Sequence, residues 1–376
     1  MEKYGRSAVS EFLGDNIIYR NLEPVDQDVP GLADLWEAAG LRSNRVPRKT
    51  TPEYAGLVAC MLRHVSNQKN PKSPIKNVVF IGDTHLNDGT AFQNICRAGD
   101  WDGMALIAAE KDGPAQFEVE EGQPGRIILA NRWSALEEFA KYCTKMDFQI
   151  DDQTVVLLDL DKTTLGARGR NDKVIDQVRI EAANLTIREL LGDDFNEEFF
   201  STAYQRLNQP EFHPFTGDNQ DYLVYICMIL GSALCDLEAL VTDVEVGKMV
   251  SFEQFLNFSE ENKEKLPSNQ RRVHDAVFNL VKEGDPTPFK DFRRQEFILT
   301  VSHMGQLPKD ALIEELLKRE ITITQEVRQA ALRWREQGAL LFGLSDKPDE
   351  ASIPDPEMAS QGFKPIHRVE TTVLGA

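Results

Sequence analysis

The sequence predicts an α/β fold, in which helices flank a parallel sheet and a large helical insert separates two of its strands. Two short apolar runs, residues 78–81 and 155–158, end abruptly on polar residues, as strands buried on both faces of a parallel sheet do. Residues 166–326 instead show helical periodicity and few alternating β patterns. These observations together indicate a sheet domain and a helical domain.

The first strand end with candidate site residues lies within residues 77–89. Its apolar run is followed by Gly82, Asp83 and, after four intervening residues, Asp88. We expect Gly82 to let the backbone turn while the carboxylate faces a ligand. Further along, residues 104–109 and 126–130 predict two more strands, and residues 134–143 predict a helix.

The most informative stretch is residues 154–164, where Asp159, Asp161 and Thr163 follow the apolar run. Ligands of open parallel sheets bind outside the carboxyl ends of the strands, so these side chains are predicted to face a crevice. Carboxylate oxygens are the ligands that Mg²⁺ prefers, and the Thr163 hydroxyl can bind a phosphate oxygen. The stretch therefore predicts a Mg²⁺ and phosphate site. The alternative is a polar turn after a core strand.

The insert is predicted to be helical along most of its length. A stripe formed by Ile175, Val178, Ala182 and Leu185 marks its first helix. Further helical patterns cover residues 196–208, 221–241, 252–258, 268–282 and 309–319. Arg168, between Gly166 and Gly169, is one of several candidate substrate-binding residues, with a surface or structural role as the alternative.

A helix, a strand and a hydroxyl residue follow the insert. Residues 327–338 predict a helix that Thr324 caps and Gly338 ends, with its apolar face formed by Val327, Ala330, Ala331 and Trp334. Residues 339–344 predict a strand that ends on Ser345.

Four of these segments resemble the motifs of the haloacid dehalogenase (HAD) superfamily. The first motif is similar to residues 159–163, the fourth to residues 82–88, and the second to the segment ending on Ser345. Residues 46–54 resemble the third motif, whose basic residue is Lys49 or its neighbour Arg48. The order along the chain (third, fourth, first, insert, second) is a cyclic rotation of the family's order.

The resemblance therefore implies a circularly permuted member of the superfamily. Permutation is tolerated where chain termini lie close together at the surface. The implied catalytic core is Rossmann-like and comprises residues 1–165 and 327–376. Residues 166–326 are the implied helical cap.

The resemblance also implies an enzyme: a Mg²⁺-dependent phosphatase that hydrolyses a phosphomonoester. Its implied nucleophile is Asp159, which forms an aspartyl-phosphate, and its general acid and base is Asp161. The implied Mg²⁺ ligands are Asp159, the backbone carbonyl of Asp161, Asp83 and Asp88. The implied phosphoryl-binding residues are Thr163, Ser345 and Lys49. A phosphotransferase or phosphomutase of the same fold, or a noncatalytic phosphate-ligand-binding protein, are the alternatives.

Composition narrows the expected partners. Asp and Glu number 61 against 42 Lys and Arg, a formal net charge of -19, which argues against nucleic-acid or anionic-membrane binding. The longest apolar stretch, residues 222–235, is too short to span a bilayer and predicts a buried helix. The N-terminal residues lack a signal-peptide profile, and the five cysteines are scattered, so we expect a cytoplasmic protein with reduced thiols. The expected partner is a small phosphorylated metabolite, and neither its identity nor the oligomeric state is predicted.

Overall fold

The computed structural model describes residues 1–122 and 124–376, and in these residues it has ten strands and sixteen α-helices. The strands are β1 (Glu2–Ser7), β2 (Ile17–Ile18), β3 (Asn77–Gly82), β4 (Asp102–Ala108), β5 (Phe117–Glu120), β6 (Arg126–Ala130), β7 (Thr154–Asp159), β8 (Ile323–Thr324), β9 (Leu340–Leu344) and β10 (Thr371–Gly375). The helices are α1 (Ser10–Leu13), α2 (Leu32–Leu35), α3 (Pro52–Lys69), α4 (Thr90–Gly99), α5 (Ala135–Lys145), α6 (Asp172–Leu191), α7 (Glu197–Leu207), α8 (His213–Thr216), α9 (Gln220–Gly231), α10 (Leu237–Glu245), α11 (Phe252–Glu261), α12 (Ser268–Glu283), α13 (Lys290–Ser302), α14 (Ile313–Arg319), α15 (Gln325–Glu336) and α16 (Pro356–Ser360).

Seven of the strands form one sheet, in the order β2-β9-β7-β3-β4-β6-β5. Every neighbouring pair is parallel except β5 and β6, which are antiparallel. The predicted α/β fold with a parallel sheet is therefore confirmed. Edge strand β5 was not predicted, because its short, largely exposed run carries little apolar signal.

The central strands are buried on both faces, as their apolar runs predict. On one face, alternate residues of β3 and β7 pack with α3: Val78, Phe80, Val155 and Leu157. The residues between them are also fully buried: Val79, Ile81, Val156 and Leu158. Their combined burial is the main source of stability at the centre of the sheet.

Helix α15 confirms the predicted helix after the insert, with one correction. Its apolar residues are buried, and Gly338 follows its end with a φ of +100°. Thr324 occupies the N-cap position but makes no capping hydrogen bond. Its hydroxyl donates instead to the carbonyl of Thr163 at 2.5 Å, so this residue ties β8 to the segment after β7.

A second, three-stranded sheet has the order β1-β10-β8, with β1 antiparallel to β10 and β8 parallel to β10. Glu2 lies opposite Gly375, so the first and last strands of the sequence are paired. This sheet was not predicted, because its β1–β10 pairing joins the two ends of the sequence and β8 is only two residues long.

The chain divides into two compact units, residues 1–177 with 300–376, and residues 178–299. The predicted insert, residues 166–326, extends beyond the second unit at both ends. Its flanks belong to the first unit because the Gly166 N–H donates to the Thr322 carbonyl and the Asn171 amide donates to the Leu317 carbonyl. Strand β8 also pairs with β10.

The second unit is helical in its described structure, as predicted, and has its own apolar core. One predicted helix, residues 221–241, is wrong in extent: it is divided into α9 and α10. The break follows Gly231, where Ala233 has a φ of +56°, and Asp236 caps α10 by accepting the Ala239 N–H. Of the apolar stretch predicted as one buried helix, residues 222–231 lie in α9 and are mostly buried, whereas residues 232–235 follow its end.

Two further predictions concern helix character and thiols. No helix in the described residues combines the length and apolar character needed to cross a membrane. All five cysteines are free, and three of them are buried: Cys96, Cys143 and Cys227.

Candidate functional site

The predicted site residues meet at the carboxyl ends of three adjacent strands, β9, β7 and β3. Asp159 is the last residue of β7 and lies level with Leu344 of β9, which Ser345 follows. Leu158 lies level with Ile81 of β3, two residues before Asp83. The sheet therefore brings together segments that are far apart in the sequence, at the edge where parallel sheets bind ligands.

Asp159 is 4% exposed, and its backbone is fixed by the residues around it. The Thr164 hydroxyl donates to the Asp159 carbonyl at 2.7 Å, and the Leu160 N–H donates to the Leu344 carbonyl at 3.0 Å. Thr164 was not among the predicted site residues, whereas its neighbour Thr163 was. The Thr163 hydroxyl is buried without a hydrogen-bond partner in the described residues, so its role in binding phosphate stays a prediction.

Lys49 links two of the acids. Its ammonium donates to Asp88 Oδ1 and to Asp159 Oδ1, both at 2.7 Å, and the residue is 5% exposed. The lysine is placed by the turn that precedes α3, whose N-cap Thr51 accepts the Tyr54 N–H. Arg48 is exposed. Of the two adjacent basic residues, Lys49 is therefore the one in the site.

Asp88 shapes the loop after β3 as well as pairing with Lys49. Its Oδ2 accepts hydrogen bonds from the Asp83 N–H at 3.0 Å, and from the Thr84 N–H and hydroxyl, both at 2.9 Å. A π-helical turn, His85–Gly89, returns the carboxylate to this position. The predicted reason for Gly82 is wrong, because its φ is not in the left-handed region. A Cβ there would instead lie 2.6 Å from Asp88 Cβ, so glycine makes room for the acid.

The third acid, Asp83, pairs with Arg168, whose Nε donates to Asp83 Oδ2. This contact was not predicted, although Arg168 was one of the candidate substrate-binding residues. The sequence offers only one signal for it, a basic residue shortly after the strand that ends on Asp159.

Burial and neighbouring charges shift the pKa of each group. Burial, reinforced by Asp88, raises the pKa of Asp83 to about 7 against the effect of Arg168. Burial also raises the pKa of Asp159 well above its usual range, although Lys49 opposes this. At Asp88 the effect of burial is outweighed by Lys49, and the pKa falls to about 2. Burial would lower the pKa of Lys49, but the carboxylates of Asp159 and Asp88 raise it well above its usual range.

The remaining predicted residues flank this cluster. Ser345 is 3% exposed, its Oγ accepts the Lys347 N–H at 3.0 Å, and its own N–H donates to the Ile18 carbonyl. Asp161 is half-buried in a tight turn that the Leu165 N–H closes by donating to the Leu160 carbonyl. Its predicted roles as acid, base and carbonyl ligand stay predictions.

The carboxylates fit a divalent cation. One oxygen from each of Asp83, Asp88 and Asp159 lies within 4.8 Å of the others. Such hard oxygen donors suit Mg²⁺, which takes one or two carboxylates and keeps several waters. Both oxygens of Asp88 already accept hydrogen bonds, so Asp83 and Asp159 fit better as direct ligands, with Asp88 holding the loop in place. Asp161 lies outside this group of three carboxylates.

Fold and site together define an α/β protein with a buried acidic cluster at the carboxyl edge of its parallel sheet. Comparison of the chain with protein-family models, curated proteins and solved structures found no match. Its chemistry is therefore inferred from the site's own geometry.

Proposed function

We propose that the protein is a Mg²⁺-dependent phosphatase of the HAD type, which hydrolyses a phosphomonoester through an aspartyl-phosphate on Asp159. The observation that carries this proposal is the convergence of Lys49, Asp83, Asp88, Asp159 and Ser345 at one sheet edge. These five residues come from the four segments that resemble the superfamily's motifs, with Asp83 and Asp88 both in the fourth. A polar turn after a core strand would not gather these groups.

We further propose that the core is circularly permuted. The strands that carry the fourth, first and second motif-like segments, β3, β7 and β9, are neighbours in the sheet despite their rotated order in the sequence. β1, which precedes the third motif-like segment, pairs with β10, which follows the second. A short connection between these strands would restore the superfamily's order, which supports the rotation.

The helical unit, residues 178–299, is assigned the role of a cap. Caps that follow the first motif limit the access of water and select the substrate. The substrate class is a small phosphorylated metabolite.

In the first step, a carboxylate oxygen of Asp159 attacks the phosphorus in line with the leaving oxygen. The bond from phosphorus to the leaving oxygen breaks, and Asp161 gives that oxygen its proton. Lys49 and Ser345 hold the phosphoryl oxygens, and the Thr164 hydrogen bond keeps the Asp159 backbone fixed during the attack.

In the second step, Asp161 takes a proton from a water molecule that attacks the same phosphorus. The bond between phosphorus and Asp159 breaks, releasing inorganic phosphate and restoring the carboxylate. Asp83 and Asp159 would hold a Mg²⁺ ion, which would supply positive charge that favours the ionised form of Asp159 and offsets the charge of the phosphoryl oxygens.

The test is phosphate release from a generic aryl phosphate with Mg²⁺, comparing wild type with Asp159→Asn. We expect the rate to fall at least about a thousandfold, as for other catalytic nucleophiles. Asp102→Asn is the matched control, since Asp102 is an exposed residue at the opposite end of β4, and it should retain the wild-type rate.

Three outcomes separate the alternatives. Retention of most of the rate in Asp159→Asn would refute the nucleophile assignment. Phosphoryl transfer to added alcohols that exceeds release of phosphate would instead identify a phosphotransferase. Mg²⁺-dependent turnover of the aryl phosphate by wild type would exclude a noncatalytic binding protein.

A further inference from the structure

Arg168 is a cation in the site to which the superfamily resemblance gives no role. Its Nε donates to Asp83 Oδ2, and the two side chains differ in exposure: 34% for the arginine and 6% for the aspartate. The guanidinium thus lies at the solvent-exposed edge of a buried acidic cluster. From this position the side chain can move without disturbing the core.

The backbone of Arg168, by contrast, is held on both sides. Its N–H donates to the Lys162 carbonyl at 2.7 Å, and its carbonyl accepts the Glu110 N–H at 2.9 Å and the Trp133 Nε1–H at 3.3 Å. The next residue, Gly169, has a φ of +78°, and a Cβ there would lie 2.0 Å from the Glu110 carbonyl oxygen. The chain is therefore built to hold Arg168 beside the acids, with only its side chain free to change partner.

The two cations of the cluster, Lys49 and Arg168, pair with different carboxylates. Lys49 donates to Asp88 and Asp159, whereas Asp83 has Arg168 as its cationic partner in the described structure. Asp83 is also one of the two carboxylates that fit best as direct cation ligands. A divalent cation that binds Asp83 therefore competes with the guanidinium for the same carboxylate.

We propose that Arg168 is an exchangeable substrate-binding residue. It pairs with Asp83 before a divalent cation binds, and it then turns to an anionic oxygen of the substrate's phosphoryl group. This inference rests on the proposed function, because it takes Asp83 as a cation ligand and a phosphate ester as the substrate. The planar guanidinium suits the second role, since it can donate two parallel hydrogen bonds to a phosphate.

The exchange couples the two ligands. Cation binding frees the guanidinium for phosphate, and phosphate binding draws the guanidinium away from Asp83. By reciprocity, each ligand must raise the affinity for the other by the same factor. A structural ion pair would give no coupling through Arg168.

The experiment measures binding by calorimetry in wild type and Arg168→Met. The probes are Mg²⁺ alone, and inorganic phosphate at saturating Mg²⁺. Without the guanidinium competing for Asp83, Arg168→Met should bind Mg²⁺ at least about threefold more tightly, the scale of a partly exposed ion pair. Without the guanidinium to donate hydrogen bonds to phosphate, the variant should bind phosphate at least about tenfold more weakly, the scale of a charge-assisted hydrogen bond.

Arg126→Met is the matched control. Arg126 is similarly exposed and also donates through Nε to a carboxylate, that of Glu121 at 2.7 Å, but it lies at the amino end of β6. It should change neither affinity. Weaker or unchanged Mg²⁺ binding in Arg168→Met would overturn the exchange.

A measurement on wild type covers the case in which Arg168→Met does not fold. The side-chain Nε–H signal of Arg168 in ¹⁵N NMR, assigned with Arg168→Lys, should shift when Mg²⁺ is added and shift again with phosphate. A signal that stays unchanged while Mg²⁺ binds would overturn the exchange and leave the phosphatase proposal standing. If wild type binds no Mg²⁺ at all, both proposals fall.

Discussion

Replacing Lys49 with methionine tests whether the site is an electrostatic unit. The ammonium is 5% exposed and donates to two buried carboxylates at 2.7 Å. Methionine keeps much of the apolar stem but leaves Asp88 and Asp159 without their shared cation. Breaking a buried ion pair by removing one partner costs about 3–5 kcal/mol, so we expect a loss of this size near neutral pH.

The pH dependence follows from Asp88. Its folded pKa, about 2, lies below the ordinary value of 3.8. The carboxylate therefore contributes stability that is present above pH 3.8 and lost as the pH falls through about 2. The shift corresponds to about 2 kcal/mol. Without Lys49, burial would raise the pKa of Asp88. The loss of unfolding free energy in Lys49→Met relative to wild type should therefore be largest at pH 8. It should become smaller towards pH 4, where the carboxyl groups take up protons.

The assay is urea unfolding at pH 8 and pH 5, followed by circular dichroism. Arg48→Met is the control for removing a neighbouring positive charge, and as an exposed residue it should change the free energy of unfolding by less than about 1 kcal/mol. A Lys49→Met variant within 1 kcal/mol of wild type at pH 8 would refute the reasoning. A loss of equal size at both pH values would refute the assignment to the carboxylates.

Two further changes test particular contacts. Gly82→Ala should displace Asp88, because the new Cβ would lie 2.6 Å from Asp88 Cβ. Calorimetry should then show that Mg²⁺ binds at least about tenfold more weakly. A variant with wild-type Mg²⁺ affinity would show that the loop adapts. Arg170→Met removes a guanidinium, 2% exposed, that bridges Glu110 and Glu326, so urea unfolding should show about 3–5 kcal/mol less stability. An unchanged urea midpoint would mean that these two acids find other partners.

The sequence predicted the strands and the acids at their ends because both signals are local. An apolar run that stops on Asp159 or Asp83 requires no knowledge of the rest of the chain. The sheet then brings the two together because buried parallel strands align their carboxyl ends at one edge. The same rule places Ser345 beside Asp159, one strand away.

The contacts that tune the site could not be predicted in this way. Thr164 and Thr84 fix their neighbours through hydrogen bonds whose geometry depends on turns, and sequence alone leaves those turns open. Arg168 reaches Asp83 across 85 residues, and its placement depends on the close approach of Gly169 to Glu110. The β1–β10 pairing of the second sheet joins the two ends of the sequence.

The most direct test of the proposed chemistry is the trapping of the phosphoryl group on the protein. An aryl phosphate is turned over with Mg²⁺, quenched with acid before the steady state, and the peptides are analysed by mass spectrometry. We predict a phosphoryl adduct on the peptide that contains Asp159, and its loss in Asp159→Asn. An adduct on another residue, or undiminished turnover in Asp159→Asn, would contradict the assignment of Asp159 as the nucleophile.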